Sequence, residues 1–185
     1  MILERKSSQL LVIDVQAKLA PAVAGAEQVV ANTRRLIAYA DCMGVPVTAT
    51  EQYPKGLGPT LDEVGGAVTS ANGVILEKLA FSAWREPACR AHIAELATAG
   101  RRQIVIAGME AHVCVLQAAL DLQGAGFATS VVFDAIGSRE PANVEVAVER
   151  LRSNGAQIVT QEMVAFEWLQ RAGTEEFRKM LALLK

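Results

Sequence analysis

The chain has 185 residues, 51% of them hydrophobic, and its 18 Lys and Arg against 20 Asp and Glu leave a net charge of −2. That length fits one domain, residues 1–185, with ample apolar material for a core and for an oligomer interface. Arg34-Arg35 and Arg101-Arg102 are the adjacent arginine pairs, too little for a phosphate-tracking surface, so nucleic acid is not an expected partner. The apolar run before Asp14 is too short for a signal-peptide core or a membrane span, and no membrane association is expected. Cys42, Cys89 and Cys114 are widely spaced and form no C-x-x-C. The composition therefore points to a soluble, cytoplasmic protein with free thiols.

Leu10 to Ile13 reads as the first strand, and Gln28 to Met43 as a helix broken by Gly44. Val45 to Ala49 and Val74 to Leu76 read as the second and third strands, separated by the irregular stretch Thr50 to Thr60, a candidate lid or pocket wall. A helix follows from Pro87 to Ala99, then a strand from Ile104 to Ala107 and a helix from Val113 to Leu122. Thr129 to Phe133 is the fifth strand, Ala142 to Arg152 a helix and Gln157 to Val159 the sixth strand, before helices at Val164 to Ala172 and Glu175 to Leu184. Strands that are apolar throughout are buried on both faces, so this alternation implies an α/β fold, a three-layer sandwich around a parallel sheet.

Ligands of such sheets bind beyond the carboxyl ends of the strands. The glycine-rich phosphate loops are absent, which removes support for nucleotide binding. Cys114 stands at the start of a helix, where the positive end of the dipole favours thiolate and unpaired N–H groups can hold an oxyanion. A buried, space-filling cysteine is the plain alternative. Asp14 ends the first strand and could take the thiol proton, or merely cap a turn. Lys78 follows the third strand, and beside a thiol and a carboxylate it would stabilise both anions; taken alone it reads first as a solvated surface lysine. Gln16, Tyr53, Phe81 and Trp84 are placed to line a small pocket. His112 either lines that pocket or supports the turn.

Three motifs carry a resemblance: Asp14-Val15-Gln16, Lys78 followed by Ser82-Ala83-Trp84, and Gly108-Met109-Glu110-Ala111-His112-Val113-Cys114-Val115. In this order the sequence resembles the isochorismatase-like hydrolases, which include nicotinamidases and N-carbamoyl amidohydrolases. It is most similar to the branch of isochorismatase domain-containing proteins. The resemblance implies a Rossmann-like, six-stranded parallel sheet of order 3-2-1-4-5-6. It also implies a triad, with Cys114 as nucleophile, Asp14 as general acid/base and Lys78 as cationic stabiliser. The reaction would be hydrolysis of a small amide- or carbamoyl-type C–N bond through an acyl-thioester. A cis peptide at Met109–Glu110 would present the Glu110 and Cys114 N–H groups as an oxyanion hole. Nicotinamidases hold a metal through histidines, one in the loop after the second strand; here Glu51-Gln52-Tyr53-Pro54-Lys55 has none. No catalytic metal and no cofactor are therefore expected. Members that hydrolyse isochorismate lack the cysteine, so Cys114 argues against that reaction. A small-molecule substrate and a homo-oligomer complete the expectation. Two other readings stay open, a redox-reactive thiol protein and a non-catalytic oligomeric interaction module.

Overall fold

Short apolar runs set between helical segments bury both faces of each strand and so form a sheet covered on two sides. The computed structural model describes residues 1–184. Its strands are β1 (Ser8–Ile13), β2 (Val47–Gln52), β3 (Val74–Lys78), β4 (Gln103–Met109), β5 (Ala128–Gly137) and β6 (Gln157–Val159). They pair in parallel in the order β3-β2-β1-β4-β5-β6. The helices are α1 (Ala26–Met43), α2 (Pro54–Leu57), α3 (Asp62–Ser70), α4 (Pro87–Thr98), α5 (Leu116–Gly124), α6 (Pro141–Ser153), α7 (Gln161–Leu169) and α8 (Glu175–Leu184). Among the described residues no helix is long and apolar enough to cross a membrane.

Side chains alternate across a strand. Leu10 and Val12 of β1 join the layer formed by α1, α3, α7 and α8, with Leu36, Val64, Trp168 and Met180 buried there. Leu11 and Ile13 join the opposite layer, with Ile93 of α4, Leu122 of α5 and Leu151 of α6. The order in which successive strands are added reverses between the parallel neighbours β1 and β4, where Ile13 is registered with Gly108. Gly108 has φ 119°, and a Cβ there would collide with the Ile13 backbone, so only glycine lets the two strands approach this closely. The crevice beyond this switch point is where such sheets bind ligands.

The structure departs from the sequence reading in four places. β3 is an edge strand rather than a doubly covered one: Val74 and Ile75 are 36% and 39% exposed, and only its last residue, Lys78, is buried. The stretch 50–60 is partly ordered, because β2 runs on to Gln52, α2 forms a single turn, and Gln16 bridges to Thr60. Helix α3 was masked by Gly65, Gly66 and Thr69; it forms because Val64 and Val68, one turn apart, bury against the sheet. Lastly, a wider, π-type turn at Ala111–Val115 precedes α5, in place of a regular helix from Val113.

Candidate active site

β1 stops at Ile13, and Asp14 leaves it with φ 52°, a left-handed conformation that costs about 1–2 kcal/mol and that aspartate tolerates better than most residues. Its carboxylate is fully buried. Oδ1 accepts from Thr50 Oγ1 at 2.7 Å, and Oδ2 accepts from Lys78 Nζ at 2.7 Å. Lys78, at the end of β3, is registered with Gln52 of the intervening strand β2. Its Nζ also donates to Gln52 Oε1 at 2.6 Å and to the Phe81 carbonyl at 3.0 Å, so its three donors all have acceptors inside the protein. The ammonium acts on the site through Asp14 rather than by reaching into solvent.

Cys114 lies in the π-type turn after β4 and is 6% exposed. Burial pushes its thiol up to about 12; the Asp14 charge adds to this and the Lys78 charge opposes it. The group expected as a thiolate at a helix mouth is therefore a thiol at rest, because desolvation outweighs the local dipole. Burial likewise raises the Asp14 carboxyl, against the charge and hydrogen bond of Lys78 and the hydrogen bonds of Thr50 and Cys114. The result is a carboxylate able to hold a proton. Cys89 is fully buried and Cys42 half-buried, and burial raises both thiols, Cys89 to about 11.

Asp14, Cys114 and Glu110 line a cavity of about 330 Å³, with Leu19, Leu57, Phe81 and Val113 as apolar wall and Lys18, Gln52 and Arg139 as polar wall. The Met109–Glu110 peptide is cis. Glu110 Oε1 accepts from both the backbone N–H and Nε of Arg139 at 3.0 Å. Burial lifts the Glu110 carboxyl, but these two hydrogen bonds and the Arg139 charge outweigh it and hold the group below its ordinary range. A second groove, of about 370 Å³, runs along Ala20, Val30 and Leu61; its Arg34 and Glu63 pair at 2.9 Å and it offers no nucleophile.

Of the residues expected to line the pocket, Phe81 does so, while Gln16, Tyr53, Trp84 and His112 do not. The Gln16 amide is engaged instead in the loop after β2, donating to Gly58 O and Gln52 O and accepting from Gln52 N–H. The Tyr53 ring lies over Gly56 on the outside, 52% exposed. Trp84 packs edge-on against Phe127, with ring centroids 5.2 Å apart. His112 Nδ1 is hydrogen-bonded to Ser138 Oγ at 2.9 Å, which makes it a support of the neighbouring turn. Sequence reasoning missed Arg139, Lys18 and the carboxylate role of Glu110. Arg139 was within reach of the carboxyl-end rule, since it follows β5 by two residues. Lys18, in an irregular segment, gave no such signal. Among the described residues no three His, Cys, Asp or Glu side chains cluster as a metal would require.

Fold and cavity together define a doubly wound α/β protein with a thiol, a carboxylate and an ammonium gathered at the switch point of its sheet. The chain belongs to the isochorismatase domain family, which matches residues 8–163. Isochorismatase domain-containing protein 2A of Mus musculus is 34% identical over 184 residues, covering 97% of this chain and 84% of the relative. The structure of the MAR1 ribonuclease from Caenorhabditis elegans superposes with a TM-score of 0.91 at 29% identity, covering 100% of this chain and 92% of that one. The product of the YcaC gene of Escherichia coli, an octameric hydrolase of unknown specificity, superposes at 0.84 with 26% identity, covering 100% of this chain and 87% of that one. Membership of this family supports a hydrolase role.

Proposed function

We propose that the chain is a cysteine hydrolase that cleaves a small amide- or carbamoyl-type C–N bond, using no cofactor. One observation supports this reading: Asp14 and Cys114 line one cavity, and Lys78, buried behind it, pairs with Asp14 at 2.7 Å.

Asp14 takes the Cys114 proton as Sγ attacks the carbonyl carbon, and the carbonyl π electrons pass to oxygen. The resulting oxyanion is held by the N–H groups of Glu110 and Cys114, donors fixed before the reaction starts. Collapse breaks the C–N bond, and the proton on Asp14 goes to the departing amine. Water then attacks the thioester with Asp14 again as base, releasing the acid and restoring the thiol. Burial that raises the Asp14 carboxyl suits it to both directions of transfer. Lys78 keeps that carboxylate ionised and oriented between transfers.

The test is a panel of small amides and carbamoyl compounds assayed for released ammonia or amine, with intact mass used to trap the acyl-enzyme. Turnover is expected for at least one compound, with Cys114→Ser and Asp14→Asn each reducing it about 10³-fold or more. The neighbour named as a ribonuclease puts an RNA oligonucleotide in the same panel. RNA cleavage that Cys114→Ser leaves at full rate would overturn the thiol mechanism.

The proposal extends to assembly and setting. A homo-oligomer fits the exposed Phe133, Met163 and Phe166, and the neighbour from Escherichia coli is octameric. A cytoplasmic, reducing setting fits the three free cysteines.

A further inference from the structure

The charges in and beneath the cavity form two pairs and one remainder. Asp14 and Lys78 offset each other at 2.7 Å, and Glu110 and Arg139 at 3.0 Å. Lys18 lines the same cavity, is exposed, and has no ion-pair partner among the described residues. With these groups charged, the cavity keeps an unbalanced positive charge, and a neutral ligand would leave it so.

Arg139 gives that charge a direction. Its Nε and backbone N–H both go to Glu110, while its terminal Nη1 and Nη2 make no hydrogen bond among the described residues, on a side chain 61% exposed. A guanidinium edge left free in this way is the planar fork that takes a carboxylate through two parallel hydrogen bonds. Leu19, Leu57 and Phe81 supply apolar wall in the same cavity. A volume of about 330 Å³ stands at the small end of ligand cavities, which run about 300–1,000 Å³.

Resting on the hydrolase reading, we propose that the substrate is a small anionic amide, whose carboxylate is taken by Lys18 and the free guanidinium edge of Arg139 while its carbonyl carbon lies at Cys114. The apolar wall then holds a short carbon spacer between the two ends.

The probes are succinamate, with an amide at one end and a carboxylate at the other, and succinamide, its uncharged relative. Both are titrated into full-length Cys114→Ser protein and followed by amide chemical shifts in NMR. Succinamate is expected to bind about tenfold tighter, the size of a charge-assisted hydrogen-bond contribution. Lys18→Gln and Arg139→Gln, each in that background, should cut the preference at least about threefold. The Lys18 side chain makes no hydrogen bond or ion pair within the described residues, so its substitution also guards against a folding failure at Arg139. Arg139→Lys, which keeps the charge and loses the fork, should restore only part of the preference. Equal affinities, a preference that survives both substitutions, or succinamate binding that never saturates would each overturn the anion site. Binding is read without the thiol, so the two readings fail separately. Selective succinamate binding beside a wild-type enzyme that turns over no amide would sink the hydrolase reading alone. Turnover of neutral amides without that selectivity would sink the substrate class alone.

Discussion

Cys114 has two charged neighbours that pull its proton in opposite directions. The Asp14 charge holds the proton on and the Lys78 charge favours its loss, while burial dominates both and leaves the thiol at about 12. The sign of each substitution follows. Asp14→Asn removes a charge that repels the thiolate, so the thiol moves down and iodoacetamide labels Cys114 faster at alkaline pH, although turnover is lost. Lys78→Met moves it up and slows labelling. In the wild type, labelling should climb about tenfold per pH unit from about pH 7 to about pH 10 without a plateau, as expected of a thiol titrating well above that range. A plateau near neutral pH, or labelling slowed by Asp14→Asn, would show that the site does not work this way. Either single substitution also leaves a buried charge without its partner, at about 3–5 kcal/mol, so circular dichroism and urea denaturation should confirm that the labelled variants remain folded.

Among the elements, the β1–β4 junction is the one that the site depends on most, because it carries Asp14 on one side and the Cys114 turn on the other. Gly108 is its weak point: Gly108→Ala places a Cβ against the Ile13 backbone and forces alanine to φ 119°. The expected loss in urea denaturation is at least about 2 kcal/mol. Gly66→Ala is the control, since Gly66 lies exposed inside α3 with nothing within 4 Å of an added Cβ. There the gain should be about 0.5–1 kcal/mol, and equal effects at the two sites would refute the close-approach argument. The same junction explains what was legible in the sequence. Continuous apolar runs announce buried parallel strands, so β1 and β4 and the residues that follow them could be read directly, whereas β5 runs on to Gly137, past the Phe133 where its apolar run stops. The edge character of β3 could not, because Val74-Ile75-Leu76 is as apolar as a central strand and only its neighbours decide its exposure. Nor could the fate of Gln16 and Trp84, whose partners Gly58 and Phe127 lie far along the chain. Pocket side chains depend on such distant contacts, whereas strand ends depend on local pattern. For that reason the strand-end residues Asp14 and Cys114 lie at the cavity as read, while Gln16, Tyr53, Trp84 and His112 lie outside its lining.

For the whole molecule, the informative fact is that one chain supplies the floor, the apolar wall and the polar wall of the cavity, drawn from the segments after β1, β2, β3, β4 and β5. Every residue that lines the cavity among those described comes from this one chain, while the exposed apolar residues Phe133, Val146, Met163 and Phe166 leave surface suited to association. Assembly and chemistry should separate. Light scattering on a sizing column should give a mass that is a whole-number multiple, two or more, of 19.7 kDa. Dilution below the dissociation range should then leave the rate of Cys114 labelling per chain unchanged within about twofold, because the cavity walls and the charges acting on the thiol stay with each chain. A monomeric mass at every concentration would remove the oligomer. A labelling rate that falls with dissociation would mean that a neighbouring copy closes or orders the cavity, and the anion-binding rim at Lys18 and Arg139 would then have to be reconsidered as part of an interface.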